Sequence, residues 1–238
     1  MSNIKNSVAF VTGANRGLGL AFAKELLKRG ATKVYAGVRN PETVDIPGVI
    51  AVRLDVTDPA SAAAAAAQCA DVTLLVNNAG IAQLLPTALD ATHAEVAHRI
   101  FATNYFGVLN VTQAFAPVLA ANGGGAIVNI LSDAVWISRP FLAAYAASKA
   151  AAWALTNASR IELRDQKILV QGVHVGFLDT DMTHGFDMTK TAPASVASQS
   201  LDGVENNVEE VIADEGTRAV KAGLSGPDNA YLNPPEIV

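Results

Sequence analysis

Three side chains in the middle of the chain, Ser132, Tyr145 and Lys149, are of types that together could move a proton to or from a carbonyl oxygen. Tyr145 and Lys149 lie four residues apart, so on a helix they share a face. A free phenol has a pKa of about 10, too high for efficient proton exchange at neutral pH. An ammonium beside it favours the phenolate and lowers that value. Ser132 closes an apolar run thirteen residues earlier, where its hydroxyl could orient a substrate oxygen next to the phenol. Together these groups suit carbonyl reduction or its reverse, with a hydride from a nicotinamide and a proton from Tyr145. Taken singly, a helical Tyr or an exposed Lys carries no chemistry, so the spacing alone does not decide the matter.

A second cluster is Thr12-Gly13-Ala14-Asn15-Arg16-Gly17-Leu18-Gly19. An apolar run precedes it and a helical pattern follows. A strand–glycine turn–helix unit turns helix N-terminal N–H groups towards an anion, and its glycines admit a pyrophosphate closely. A plain turn is the alternative. No Gly-Lys-Ser/Thr follows, so the turn is not a P-loop. An acid at the end of the second strand would read an adenosine ribose, but that run ends Ala36-Gly37-Val38-Arg39-Asn40. Arg16 and Arg39 could instead fork onto a 2′-phosphate, which points to NADP(H) over NAD(H). Solvated surface arginines are the bland reading of the same two residues.

The elements that must position these groups follow from patterning. Apolar runs without alternation occur at Val8–Thr12, Lys33–Arg39, Val49–Val56, Val72–Ala79, Ala126–Ser132 and Leu169–Gly176, as expected of strands buried on both faces of a parallel sheet. Helical patterns lie between them: Leu18–Arg29, an Ala-rich stretch opened by Asp58-Pro59, Thr92–Leu119, Tyr145–Leu163 and Val208–Ala222. The alternation predicts an α/β fold, a doubly wound parallel sheet in a single domain spanning 1–238. Residues 181–203, rich in Met, Thr, Ser and Asp, read as a substrate lid or binding loop. The tail from Ser225 through Pro235 holds at most a short edge strand.

At this point the sequence resembles the short-chain dehydrogenase/reductase family, in its single-domain, NADP-preferring, carbonyl reductase-like subgroup. The matching residues run in the family's order: Thr12-Gly13-x-x-x-Gly17-x-Gly19, Asp55-Val56, Asn77-Asn78-Ala79-Gly80, Asn104, Ser132 and Tyr145-x-x-x-Lys149. The resemblance implies a Rossmann-type fold, a nicotinamide cofactor and Tyr145 as general acid/base. It implies that Lys149 binds the nicotinamide ribose and lowers the tyrosine pKa, that Ser132 holds the carbonyl, and that Asn104 anchors a water in a proton relay. By the same resemblance Asp55 and Val56 contact the adenine and Asn78, Ala79 and Gly80 pass close to the cofactor, while Asn77 stabilises the central strand. Asn15 would bond locally or reach the adenine ribose, and the backbone at Leu18 lies in the turn.

Two departures from the family pattern stand out. The family's Pro-Gly after the sixth strand is Val175-Gly176 here, although Gly176 and Thr180 match, so Leu178 and Thr180 should still hold the carboxamide. Losing the proline frees φ and adds an N–H to satisfy. The tail lacks the Gly-rich segment that builds a tetramer, which leaves a homodimer through the long helices as the assembly to consider. Trp136 and Met182 are the expected walls of a substrate pocket, with Phe141, Phe177, Phe186 and Met188 also near the site.

Composition narrows the classes. The chain has 238 residues, 17 basic against 22 acidic, for a charge of −5, which disfavours a nucleic-acid partner. Half of it is apolar and 16% charged, so it folds without help from disulfides, and Cys69 stands alone as a packing residue. No apolar stretch is long enough to span a membrane, and the expected compartment is the cytoplasm. His93 and His98 are five apart, about 140° around a helix, so no metal site is expected. No Gly-x-Ser-x-Gly surrounds a serine, which argues against a hydrolase. The expected activity is NADPH-dependent reduction of a ketone or aldehyde, acting on a small carbonyl or alcohol substrate. Its rivals are a non-catalytic NADP-binding regulatory protein and an NAD(P)-dependent epimerase or dehydratase.

Overall fold

The computed structural model describes residues 4–226 and 229–234. Seven strands form one sheet in the order β3-β2-β1-β4-β5-β6-β7, every neighbouring pair parallel. They are β1 (Val8–Thr12), β2 (Lys33–Val38), β3 (Val49–Arg53), β4 (Leu74–Asn77), β5 (Gly125–Ile130), β6 (Ile168–His174) and β7 (Glu210–Ile212). The apolar runs did mark strands, because side chains on both faces are covered: Val11, Val76 and Val128 lie under one layer, Phe10, Leu75 and Ile127 under the other. Chain order reverses between β1 and β4, and the carboxyl ends of strands at such a reversal are where an open parallel sheet offers a binding crevice.

Helix α1 (Gly17–Lys28) and helix α6 (Pro193–Glu205) cover the first face. Helices α2 (Pro59–Gln68), α4 (Gly107–Ala121) and α5 (Ala143–Glu162) cover the second. α2 begins as its sequence dictates, with the Asp58 carboxylate accepting from the Ala60 N–H at 2.9 Å and Pro59 in the first turn. Cys69 is buried, and burial pushes its thiol up to about 11, consistent with a packing residue.

The expected helix Thr92–Leu119 is α3 (His93–Phe101) running through a π-turn (Ala102–Phe106) into α4. The wide turn carries Asn104, and such turns often mark functional positions. The C-terminal third departs further from expectation. Residues 210–212 form the edge strand β7, and only then does α7 (Glu215–Gly223) begin. Asp214 separates the two, its Oδ1 accepting from the Thr217 N–H at 2.8 Å as an N-cap.

The expected lid over 181–203 is corrected in its second half. Residues 193–203 belong to α6, whose Val196, Ala197, Leu201 and Val204 are fully buried against Phe22 and Leu26 of α1. Arg29 fastens the pair, with its guanidinium on Asp202 Oδ1 at 2.7 Å, Ser198 Oγ at 2.8 Å and Glu25 Oε1 at 2.9 Å. The polar Ser, Gln and Asp residues that suggested a loop are the other faces of this helix. Pro227 and Pro235 of the tail lie outside the described residues. Residues 229–233 are turn and bend, with no strand.

A packed α6 makes a definite energetic statement. Leu201→Ala should lower unfolding stability by about 2–5 kcal/mol, since it empties a sealed site. A mobile lid would give a change within about 0.5 kcal/mol. Urea unfolding of the two proteins distinguishes the cases.

Candidate active site

The glycine turn follows β1 and is anchored from beneath. Thr12 Oγ accepts from the N–H groups of Asn78 and Ala79, both at 2.9 Å. Asn78 returns its side-chain amide to Thr12 O at 2.9 Å and Gly13 O at 3.3 Å. Asn78 is thus a brace under the turn, a role its backbone placement alone did not suggest. Gly13 and Gly17 have φ of +66° and +55°, where an L side chain is strained. A Cβ at Gly19 would stand 2.3 Å from Gly13 O, so the first turn of α1 lies directly on the strand exit. Leu18 is buried with the α1 core, leaving only its backbone to the cleft. This backbone cradle fits a dinucleotide pyrophosphate.

The other residues expected at a cofactor take these positions. Thr180, after β6, sets its methyl 3.4 Å from where a Gly17 Cβ would be. Leu178 pairs with Thr191 in an isolated parallel bridge, and its carbonyl accepts from the Thr183 hydroxyl. Asp55 binds the Thr57 N–H at 3.0 Å and hydroxyl at 2.7 Å, which holds its carboxyl below the usual range, with a further push from Arg39. Val56 packs on Gly107 at the head of α4, and its carbonyl accepts from Asn110 at 3.0 Å. Arg39 is exposed at the end of β2. Arg16 is exposed too, 3.4 Å from Asp181 across the mouth of the crevice. Asn15 reaches Thr43 at 3.4 Å, a local bond.

Gly176 exposes a feature that sequence reasoning missed. Its N–H donates to Asp214 Oδ2 at 2.9 Å, and Thr217 Oγ donates to the same oxygen at 2.7 Å. The signal was present as Asp214-Glu215 ahead of a helical run. Its tertiary bond, 38 residues away, was not.

Ser132, Tyr145 and Lys149 do come together. Lys149 is buried, donates to Ile130 O at 2.8 Å and stands 5.8 Å from the Tyr145 ring centre. Ser132 Oγ lies against the phenol and eases its ionisation. Asn104 is fully buried and pairs with both main-chain groups of Ile81 at 2.9 Å and with Ser148 Oγ at 3.0 Å. A Cβ on Gly80 would stand 3.4 Å from Asn104 Oδ1 and 3.7 Å from Lys149 Nζ, so this glycine keeps the space between them. Asn77 binds Asn129 at 2.9 Å and Thr112 at 3.1 Å inside the sheet.

The electrostatics differ from the expectation that Lys149 lowers the phenol pKa. Desolvation of the ring pushes Tyr145 up to about 12, and the Asp133 carboxylate adds to the rise. Desolvation likewise pulls Lys149 down to about 8. Withdrawal from water is the leading cause of both shifts, and the Lys149 ammonium donates to the Ile130 carbonyl.

The residues expected as pocket walls make definite contacts. Trp136 stacks on buried His174 at 4.3 Å and 13°, meets Trp153 edge-on, and carries Lys221 over its ring at 5.6 Å. Its indole is part-buried and held by these three contacts. Phe186 instead ties the 184–192 loop to Phe177 at 4.9 Å and Phe141 at 6.3 Å. Met182 is half-exposed at the loop's start. Among the described residues, no three His, Cys, Asp or Glu gather as a metal would require. No described helix is long and apolar enough to cross a membrane.

Comparison with known proteins bears on the whole chain. The short chain dehydrogenase family model matches residues 7–191. Dehydrogenase/reductase SDR family member 7B of Bos taurus is 35% identical over 199 residues, 76% of this chain, and this chain covers 60% of that protein's length. A short chain dehydrogenase from Burkholderia cenocepacia, solved in complex with NADP, superposes with a TM-score of 0.91 at 39% identity, covering 96% of both chains. A 3-ketoacyl-(acyl-carrier-protein) reductase from Brucella melitensis, complexed with NADH, gives 0.78 at 27% identity, covering 87% of this chain and 96% of that one. With its parallel sheet, glycine cradle and Ser132–Tyr145–Lys149 cluster, the chain belongs to the short-chain dehydrogenase/reductase family of oxidoreductases.

Proposed function

We propose that the protein is an NADPH-dependent reductase that converts a ketone or aldehyde to its alcohol, reversibly. The observation that carries this reading is the convergence of Ser132, Tyr145 and Lys149 beside the glycine cradle. The nicotinamide, when bound, supplies the hydride. Gly13, Gly17 and Gly19 would hold the pyrophosphate, Asp55 and Val56 the adenine, Asn78 to Gly80 the ribose side, and Gly176, Leu178 and Thr180 the carboxamide.

Tyr145 acts as the acid. Its phenol is held protonated well above neutral pH, so it arrives at the carbonyl oxygen with a proton to give. Ser132 steers that oxygen. Lys149 returns a proton to the phenol from the side of Asn104, and it does so near its own lowered pKa of about 8. The loop carrying Phe177 and Phe186, with Phe141 opposite, supplies an apolar wall for the substrate.

The absence of an acid at the end of β2 and the exposed Arg16 and Arg39 support NADPH, as does the NADP-bound relative from Burkholderia cenocepacia. Steady-state kinetics test the assignment. kcat/KM should be higher with NADPH than with NADH. Arg39→Ala should lower the NADPH value by about 10- to 100-fold and leave NADH nearly unchanged, the size of a lost charged hydrogen bond. A parent enzyme that prefers NADH overturns it. Tyr145→Phe should reduce turnover by at least about 100-fold in a ketone and aldehyde screen while NADPH still binds. Retained turnover removes Tyr145 from the acid role.

The buried ammonium also has a thermodynamic signature. Below about pH 8 both folded and unfolded states hold the Lys149 proton, and between 8 and the ordinary 10.5 only the unfolded state does. Stability therefore rises with pH through that window, by about 1 kcal/mol per pH unit. Lys149→Met should remove this slope. Urea unfolding from pH 7 to 10 measures the difference, and parallel curves for the two proteins would contradict a lowered lysine.

A further inference from the structure

His174 closes β6, is fully buried and has no part in the mechanism above. Its Nδ1 lies 3.3 Å from the main-chain carbonyl oxygen of Ser132. A carbonyl only accepts, so this contact is a hydrogen bond when Nδ1 carries the proton. Burial brings the imidazole down to about 4, and at pH 7 the ring holds one proton. With that proton on Nδ1, Nε2 is a bare lone pair. Accordingly Nε2 has no hydrogen-bond partner among the described residues. It stands 3.4 Å from Glu210 Oε1, while the other oxygen of that carboxylate is paired with Lys221. The ring cannot turn to exchange its nitrogens freely. Trp136 stacks on it at 4.3 Å and 13°, and Trp153 meets it edge-on at 6.5 Å.

The backbone around Ser132 shows what this bond adds. Leu131 and Asp133 on either side donate their N–H groups to Val173 O at 2.8 Å and Val175 O at 3.3 Å, which ties both to β6. Ser132 itself leaves the strand to cap the single turn Asp133–Val135. Its carbonyl accepts from the Val135 N–H at 3.4 Å, a long bond that restrains the peptide weakly. The second lone pair of that carbonyl is the one that His174 meets. We propose that His174 is a positioning residue of the reaction: its Nδ1–H, given to the Ser132 carbonyl, fixes the plane of the Ser132 peptide and with it the direction of Oγ. This rests on Ser132 as the group that steers the substrate oxygen.

Three substitutions test it, because Asn places its amide N–H where Nδ1 stands, Gln places it near Nε2 and Leu has none. The substrate is the fastest compound of the ketone and aldehyde screen. His174→Gln and His174→Leu should each lower kcat/KM for the carbonyl by about 10-fold, the weight of one lost hydrogen bond, with the Kd of NADPH unchanged. His174→Asn should restore it to within about threefold of wild type. Equal losses in Asn and Gln, or no loss in Gln and Leu, overturn the proposal. His174→Gln is then repeated in a Ser132→Ala background. If His174 acts through Ser132, the second change costs less than about twofold there. The same fold-loss in both backgrounds marks a structural role and overturns the positioning while leaving Ser132 in place. Unchanged turnover in Ser132→Ala removes Ser132 from the reaction and the positioning with it. A ¹H–¹⁵N spectrum of the wild-type imidazoles at pH 7, with the His174 signals assigned by their loss in His174→Asn, reads the tautomer without turnover. A proton on Nδ1 is expected, and a proton on Nε2 alone refutes the bond.

Discussion

The structure depends first on how two diverging strands are held apart yet joined. β1 and β4 are hydrogen-bonded neighbours through Val11 and Val76, where their ladder ends. A gap there would leave the N–H groups of Asn78 and Ala79 without partners. The Thr12 hydroxyl takes both, and the Asn78 amide closes the circuit on Thr12 and Gly13. Thr12 is 1% exposed, so its hydroxyl is withdrawn from water, where a polar group left unpaired would cost about 1–3 kcal/mol. The crevice is thus a stable feature of the polypeptide, and the glycine turn above it is fixed before any ligand arrives.

The same economy explains where chemistry is concentrated. Lys149 is the buried lysine at the carboxyl end of β5, and its charge is costly there. The fold tolerates it because Ile130 O, at the last residue of β5, accepts its proton. Asn104 is similarly fully enclosed and survives because the π-turn between α3 and α4 aims its amide at both main-chain groups of Ile81. A regular helix through 102–106 would rotate that side chain away. Lys149 and Asn104 thus find their partners in the backbone of β5 and of the β4 exit and in the Ser148 hydroxyl on α5.

Much of this was legible in the sequence. The parallel sheet followed from unalternating apolar runs, since strands covered on both faces have no polar side to show. The glycine turn, Ser132, Tyr145 and Lys149 were visible because their chemistry depends on residue type and short spacing. What escaped was set by distant partners. β7 is three residues long, too short for a pattern, and exists because β6 offers it an edge. α6 reads as polar because Arg29, far away in sequence, satisfies its acids. The stack of Trp136 on His174, 38 positions on, has no sequence signal either. Asp133 is an unremarkable letter beside Ser132, and only the geometry turns its carboxylate onto the hydroxyl.

Val175 shows how a local loss is offset at long range. Proline at that position would stiffen the exit of β6 by restricting φ and by lacking an N–H. The valine is 3% exposed and packs in the core with Ala213, Val196 and Leu18, so its position is fixed by burial. The following Gly176 donates to Asp214, which also accepts from both the backbone and the hydroxyl of Thr217. The carboxylate therefore caps α7 and clamps the turn together. Because β7 must place Asp214 beside β6 before either bond can form, the short edge strand is more than a border to the sheet. It brings the C-terminal helix into register with the loop that reaches Thr180, and through Thr180 with Gly17 of the cradle. The tail end of the fold and the first glycine turn are in this way parts of one site.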